Sequence, residues 1–317
     1  MKNPKSIFTL LFASLLLATF FSACQSDQSL VSSDENQINQ EVFAKLIEDD
    51  ELLQSFDLNY DEEDAMAFLG TLGKKMYPIK VGQRIKLVDK NIVISEDGDI
   101  ATGTVTKVFA GVLIIAATYA EPVAGERAKV DTVLYKEFTT TVKYNVVLEK
   151  VDQSINPLRN WKIVSSSLAA GGTETENIQI TKMVVTLPDG QEIEVTDPTE
   201  YFITRDHSVR GMLHGFTRGE VVKVRVEVTS AYADEDFLSL TYGAFRGGKH
   251  FKAKKKLELA SSSEEGGVYK KVYEGSWTIR EHRAYKYAIV NAVPNQVIYD
   301  DEAPVELVSW GIPYKVN

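Results

Sequence analysis

The hydrophobic pattern along this chain changes its period near residue 80. Before that point Ile38, Val42, Ala44, Leu46, Ile47, Leu52, Leu53 and Phe56 recur close to the 3.6-residue repeat, with good helix formers between them. This spacing predicts a helix over 38–56. A second helix is expected to open on Asp61, Glu62, Glu63 and Asp64, whose carboxylates suit the positive end of a helix, and to bury Ala65, Met66, Phe68, Leu69 and Leu72. Gly70 and Gly73 weaken it, and Pro78 blocks its continuation. From Arg84 onward the repeat shortens to two residues, predicting strands over 84–94, 101–119, 135–150 and 160–168, with a turn at Glu96-Asp97-Gly98-Asp99. Val142, Tyr144, Val146 and Leu148 alternate with Lys143, Asn145, Val147 and Glu149, and Gly103 and Gly111 mark candidate bends or bulges.

A stretch of glycine and small polar residues, Gly171-Gly172-Thr173-Glu174-Thr175-Glu176, reads as a linker over 171–177. Almost every later signal is β. The 183–187 strand turns at Pro188-Asp189-Gly190 into a partner carrying Ile193 and Val195. In 221–228, Val222, Val224, Val226 and Val228 face one side and Lys223, Arg225 and Glu227 the other. Further strands are expected over 237–245, 251–259, 268–279, 284–293 and 305–316. Pro313 cannot donate to a ladder, which places the last of them at an edge or a bulge. The predicted architecture is an α+β cone over 37–170, with helices packed on a curved antiparallel sheet, followed by an all-β sandwich over 178–317.

The N-terminus has a different logic. Lys2 and Lys5 precede an apolar run over 7–21, which has the length of a signal-peptide core and is short for a bilayer span. Directly after it stand Phe21, Ser22, Ala23 and Cys24. This tetrad resembles the bacterial lipobox, in which small residues precede a Cys that is acylated on sulfur and becomes the first residue after cleavage. The resemblance implies a signal peptide over 1–23, cleavage between Ala23 and Cys24, and a diacylglycerol thioether on Cys24. Such chains anchor stably at about 0.8 kcal/mol per buried methylene. Residues 24–36, rich in Ser, Asp and Gln and without apolar periodicity, read as a flexible tether. The acids soon after Cys24 resemble, in part, the export signals of Bacteroidetes lipoproteins. They imply outer-membrane attachment on either the periplasmic or the surface-exposed face.

Two further resemblances bear on the body. The helical start, the long strand pairs and the closing Arg159-Asn160-Trp161-Lys162-Ile163-Val164-Ser165 resemble the nuclear-transport-factor-2-like (cystatin-like) superfamily. That implies a cone whose mouth hosts an enzyme site, binds a small ligand, mediates dimerisation or has no detectable role. Isomerase and dehydratase members use an Asp or His base with Tyr or Asp donors. The candidates here are Asp89, Asp131, Tyr119, Tyr135 and Tyr144, and the region has no His. The second region resembles immunoglobulin or fibronectin type III sandwiches without a disulfide pin. Its end, from Tyr299-Asp300-Asp301-Glu302-Ala303-Pro304 to Trp310-Gly311-Ile312-Pro313-Tyr314-Lys315-Val316, resembles sandwich modules of Bacteroidetes lipoproteins.

Composition narrows the function. Among 317 residues, 45 Asp+Glu outweigh 35 Lys+Arg for a net charge of −10, which argues against nucleic acid. Removing Lys2 and Lys5 with the leader makes the chain more acidic still. One Cys excludes an intrachain disulfide and multi-cysteine metal sites. His207, His214, His250 and His282 lack the spacing that puts two imidazoles on one metal, and Asp300-Asp301-Glu302 lacks the pattern of a calcium loop. Arg246, Lys249, His250, Lys252, Lys254, Lys255 and Lys256 form a basic cluster. It suits either contact with an anionic surface or the charged edge of a strand. Trp161, Trp277 and Trp310 suit either core packing or a glycan platform. No G-x-S-x-G, H-E-x-x-H or phosphate-binding glycine loop occurs. The expectation is a lipid-anchored, non-enzymatic envelope protein without a cofactor, binding the membrane through its lipid and an envelope protein or glycan through its body. A ligand carrier or isomerase-like enzyme using the cone, and a glycan-binding sandwich, are the alternatives.

Overall fold

A computed structural model describes residues 30–60, 65–67, 77–120, 129–205, 214–245, 252–280 and 282–317. The chain falls into two units, Met1–Phe43 and Ala44–Asn317. The described part of the first is helical, and the sheets and the cavity described below belong to the second. The predicted helix over 38–56 is two helices, α1 (Leu30–Asp49) and α2 (Glu51–Tyr60). Asp50 separates them: its carboxylate accepts the Leu53 N–H at 3.0 Å, capping α2, while its carbonyl accepts the first intrahelical bond, from Gln54. The tether expected over 24–36 is helical from Leu30 on. Most of the expected second helix lies outside the described residues. Its described part, β1 (Ala65–Ala67), is a strand paired with residues 80–82.

The next three strands are long: β2 (Tyr77–Asp97), β3 (Ile100–Thr118) and β4 (Thr132–Lys150). They form a continuous antiparallel blade whose first hairpin turns at Gly98, held at φ +63°. Along β3 the inner face carries buried Ala101, Val105, Phe109, Leu113 and Ile115, the alternation that a one-sided sheet requires. Gly111 sits on that face, where the Phe138 ring covers it; the register breaks instead fall in β2, between Pro78 and Lys80 and between Leu87 and Asp89. There follow β5 (Trp161–Ser167), β6 (Ala169–Gly172), β7 (Ile178–Thr186), β8 (Glu192–Val195), β9 (Phe202–Thr204), β10 (Gly215–Phe216), β11 (Val221–Ser230), β12 (Phe237–Tyr242), β13 (Ala253–Lys256), β14 (Glu258–Glu265), β15 (Val268–Thr278), β16 (Ala284–Val293), α3 (Asn295–Tyr299) and β17 (Val308–Val316).

The α+β cone is not what forms. Among the described residues strand accounts for 61% and helix for 12%, and the sheet does not close at residue 170. One 12-stranded sheet runs β1-β2-β3-β4-β6-β17-β16-β12-β13, with β5, β9 and β10 attached beside it. The first two residues of the expected linker are part of this sheet. Gly171 and Gly172 lie in β6, which pairs with β4 on one side and β17 on the other and stitches the two halves of the chain together. Glycine is needed because a Cβ at Gly171 would come within 2.7 Å of Val142 and one at Gly172 within 2.3 Å of the Leu307 carbonyl. Composition alone made these glycines resemble a flexible joint.

The second sheet is five-stranded, β14-β15-β11-β7-β8. Val222, Val224, Val226 and Val228 turn their buried faces inward as the alternation predicts. This sheet packs on the β12-β16-β17 part of the large sheet, where Trp277 lies 6.3 Å from Tyr242 and 6.2 Å from Tyr314, ring centre to ring centre. A sandwich therefore exists, but only one of its sheets belongs to residues 178–317 alone. On the opposite side of the large sheet, α2 seats Phe56 edge-on against Tyr287 at 5.3 Å, and its Tyr60 hydroxyl is bonded to Thr140 at 2.7 Å. Asn59 clamps the backbone of Ala244 through both its amide nitrogen and its oxygen.

Pro313 is not at an edge. The N–H groups of Lys315 and Asn317 reach the carbonyls of His214 and Phe216, so the two-residue period turns the position of Pro313 the same way. There β17 meets β6 only as far as Gly311 and β10 only from Lys315 on, leaving a gap that needs no donor.

Candidate functional site

A cavity of about 610 Å³ opens where α1 and α2 meet the ends of β9, β16 and β17. Its volume is in the range of small-molecule sites. The helix side is acidic, with Asp49, Asp50 and Glu51; the strand side carries Arg205 and Lys315 together with Thr204, Tyr285 and Asn317. Each side chain is placed by a local rule. Asp50 is where it is because it caps α2. Arg205 follows β9 directly, and its N–H is fixed by the Val164 carbonyl at 2.9 Å. Lys315 is opposite Tyr285 in the β16–β17 register, and its ammonium lies 5.7 Å from the centre of the Tyr285 ring, within cation–π range. Gly215 lets β10 approach, since a Cβ there would come within 2.6 Å of the Asn317 amide.

The electrostatic centre of the cavity is the ion pair of Arg205 with Asp50, whose side chains are 18% and 16% exposed. The pair uses only the Nη1 end of the guanidinium. The Nε and Nη2 donors are buried and unpartnered, as are the hydroxyl of the neighbouring Thr204 and that of Tyr144. Arg205 acts electrostatically on Tyr144 and Tyr287. Burial raises both phenols well above their ordinary range, and the guanidinium offsets part of that shift. An unpaired buried donor costs about 1–3 kcal/mol, more when charged, so several around one arginine are a costly arrangement. Deeper in the large sheet, Lys107 forks onto both carboxylate oxygens of Asp57 at 2.7 Å and lies 5.4 Å from the Tyr144 ring centre.

The candidates drawn from the cone reading do not converge. Asp131 is at the surface, where bonds from the Thr118 hydroxyl and the Tyr119 N–H hold its carboxyl below the usual range. Asp89 is exposed, and Tyr119 and Tyr135 are 62% and 67% exposed, whereas Tyr144 is 1% exposed. Trp161, Trp277 and Trp310 are all buried, so none offers the open ring a sugar platform needs. Of the basic cluster, Arg246, Lys249 and His250 lie outside the described residues. Lys254, Lys255 and Lys256 stand on β13, the edge of the large sheet; Lys256 pairs with Glu235 at 2.8 Å and Lys255 donates to the Ser276 carbonyl. Lys252 precedes that strand. His207 is outside the described residues. His214 is half-buried beside Phe216, with burial lowering its pKa and Asp189 opposing that shift, and His282 holds φ +88° against Phe245. Among the described residues no group of three or more His, Cys, Asp or Glu is placed to hold a metal. Asp300-Asp301-Glu302 is a turn in which Asp300 accepts the Glu302 N–H.

Sequence reasoning missed the residues that build the cavity. Asp49-Asp50-Glu51 was legible as a break, because an Asp inside a helical repeat is a good cap, yet the apolar period ran straight across it. Arg205 stands beside Asp206-His207, and nothing in that local sequence links it to Asp50, 155 positions earlier. Cys24, Ala23 and the lipobox lie outside the described residues, and no described helix is long and apolar enough to cross a membrane. No protein-family model matches the chain, and no curated protein matches it either.

Proposed function

We propose that this chain is a lipid-anchored protein of the bacterial outer membrane whose body serves binding or assembly rather than catalysis. The observation that carries the anchoring is the N-terminal sequence: Lys2 and Lys5, the apolar run over 7–21, and Ser22-Ala23 set directly before the single Cys. A thiol is the side chain that takes a thioether-linked diacylglycerol, and Cys24 stands where that chemistry needs it. The non-catalytic half is supported by the scatter of the acid–base candidates. Asp131 and Asp89 are solvated, and Tyr144 is sealed inside the sheet without an acid in hydrogen-bond contact. The binding half is supported by the cavity at Arg205, which is large enough for a ligand and lined by opposed charges.

Replacing Cys24→Ser tests the anchor. Expressed in a Gram-negative host, the wild-type chain fractionates with membranes and takes up a clickable palmitate analogue. The variant is expected to lose the label and move to the soluble fraction. Membrane association that is unchanged in the variant would overturn the anchor.

A further inference from the structure

The outer face of the blade changes character along β3. Toward the hairpin at Gly98 its outward residues are Thr102, Thr104 and Thr106, the polar half of a strand with one covered side. Farther along, the outward positions turn apolar as well: Ala110, Val112, Ile114 and Ala116 alternate with inner residues such as Phe109, Leu113 and Ile115, which are buried. A strand that is apolar on both faces has the pattern of one covered on both sides. Yet Val112, Ile114 and Ala116 are only half-buried and Ala110 is exposed, and their neighbours on β4 stand open, Val133 at 40% and Tyr135 at 67% exposure.

The ladder register sets what flanks this apolar row. Lys80, Arg84 and Lys86 of β2 stand opposite Ala116, Val112 and Ala110. On the other side, Val133, Tyr135 and Glu137 of β4 stand opposite Ala116, Ile114 and Val112. The face is thus a rail of three cations, an aliphatic centre, and a Val–Tyr flank with one acid. In a chain of net charge −10, all three cations are exposed, and among the described residues none forms an ion pair or a side-chain hydrogen bond.

Three occupants can be weighed against this pattern. A second copy packed face to face would bring three more cations and little to meet them: Glu137, and Asp131, which already accepts from Thr118 and Tyr119. A soluble polyanion would answer the rail and leave the aliphatic centre wet. A bilayer with anionic headgroups answers both. Its phosphates meet the rail, the aliphatic row lies at the acyl boundary, and Tyr is a side chain suited to the zone between them. The anchor proposed above also keeps a bilayer within constant reach, which no soluble partner shares.

We propose that the outer face of β2, β3 and β4 docks on an anionic lipid bilayer, with Lys80, Arg84 and Lys86 at the phosphates and Val112, Ile114 and Tyr135 at the interface. This rests on the anchored reading and goes beyond it by assigning the face of the body that meets the membrane.

The test is hydroxyl-radical footprinting of the full chain, read by mass spectrometry, on vesicles of phosphatidylcholine alone or with about 30% phosphatidylglycerol. Anionic vesicles are expected to shield Tyr135 and to leave Tyr269, half-buried on β15 of the other sheet, as it was. About 0.5 M NaCl should remove the shielding. Each cation changed to Gln is expected to weaken docking about fivefold. The triple variant Lys80→Gln, Arg84→Gln, Lys86→Gln should therefore return Tyr135 oxidation to its value on neutral vesicles, with the urea midpoint unchanged because all three side chains are exposed. Equal oxidation of Tyr135 on both kinds of vesicle would overturn the proposal. So would shielding that survives in the triple variant, or shielding on neutral vesicles that grows with protein concentration, the mark of a second copy. Flotation separates this reading from the anchor. Wild-type chain that floats with Tyr135 open loses the docking face and keeps the anchor; chain that takes no palmitate label yet shields Tyr135 on anionic vesicles loses the anchor and keeps the face.

Discussion

The blade of β2, β3 and β4 and the stack around β12 and β16 are parts of one sheet, yet they are built on different terms. In the blade each strand buries one face and leaves the other to solvent, so β3 alternates residue by residue and Thr102 and Thr104 stay exposed. In β12 every residue from Phe237 to Tyr242 is buried, and in β16 burial is continuous from Lys286 to Val293. The reason is the number of layers. The five-stranded sheet covers one side of β16 and α2 covers the other, whereas among the described residues the outer face of β3 is left partly to solvent. A strand with two covered faces can no longer send its polar side chains to water, so each costs free energy unless it finds a partner inside, as most do and the Thr241 hydroxyl of β12 does not. Ser309 bonds Asn291 at 2.6 Å, and Lys286 has its ammonium 4.9 Å from the Phe245 ring centre with its pKa lowered by burial. The difference teaches that polar residues in the stack are structural commitments, while polar residues on the outer blade are free to vary.

The sharpest way to break this comparison is at Lys271 and Asp236, both fully buried and 2.8 Å apart. Lys271 also donates to the Asp234 carbonyl, and Asp236 takes the Ser230 hydroxyl at 3.2 Å, while its N–H goes to the Tyr273 hydroxyl at 2.8 Å. Burial raises the Asp236 carboxyl, and the Lys271 ammonium opposes that shift. Lys271→Met strands a carboxylate in the interior and is expected to cost about 3–5 kcal/mol in urea denaturation. Pairing it with Asp236→Leu should recover part of that loss, because the cost comes from the unpaired charge rather than from the missing bond. A cost below about 1 kcal/mol for the single variant would mean that water reaches the pair and that the stack is not sealed.

The next prediction sets two glycines side by side. A Cβ at Gly311 in β17 would come within 2.8 Å of the Phe56 ring, and one at Gly111 in β3 within 2.4 Å of the Phe138 ring. By distance Gly111 is the tighter site. Phe56 is 2% exposed and is held by Tyr60 and Tyr287, whereas Phe138 is only partly buried and has solvent to swing toward. Gly311→Ala is therefore expected to cost about 1–3 kcal/mol by overpacking, and Gly111→Ala less, measured as urea midpoints at constant slope. The reverse order would show that the blade is packed as rigidly as the stack.

How much of this was legible depended on whether one residue's burial is decided by its own strand. The long blade strands and the valine alternation of β11 could be read directly, because a single covered face imposes the two-residue period. The stack was legible as β but not as shared. Gly171 and Gly172 resemble a linker by composition, and only the close approach of Val142 and Leu307 reveals them as the seam between two halves of a sheet. Pro313 pointed to an edge or a bulge because it cannot donate to a ladder; β17 is flanked on both sides, and the rule is met instead by a gap between the two short strands on one side. The α+β cone does not form because the sheet that begins with β2 goes on recruiting strands as far as β17, so no separate layer closes at residue 170. The cavity was the least legible part. Its charged side chains come from segments more than a hundred residues apart, and no local pattern links Asp50 to Arg205 or Lys315.

The smallest expected effect tests the inside of the sandwich with acid. His214 lies at the rim of an apolar space formed by Leu168, Met183, Val185, Ile193, Val195 and Ile312, between the two sheets. Burial lowers its pKa below the ordinary value of 6.5, and the nearby carboxylate of Asp189 recovers part of the shift. The folded chain thus prefers the neutral ring more strongly than the unfolded chain does. A group whose pKa is depressed by folding contributes stability that is full above its unfolded value and is lost as pH falls from there through the folded value. As pH falls from about the ordinary value of 6.5 to the folded pKa, the chain should therefore lose stability, because the imidazole takes up its proton in the unfolded chain while it stays neutral in the folded one. His214→Phe keeps an aromatic ring beside Phe216 and removes the titration, so its urea midpoint should fall less steeply over the same window. Asp189→Asn should steepen the wild-type loss, since it removes the charge that favours the protonated ring. If His214→Phe follows the wild-type curve, the imidazole is solvated in both states. The two sheets would then part more readily at this end than the sealed pair of Lys271 and Asp236 implies.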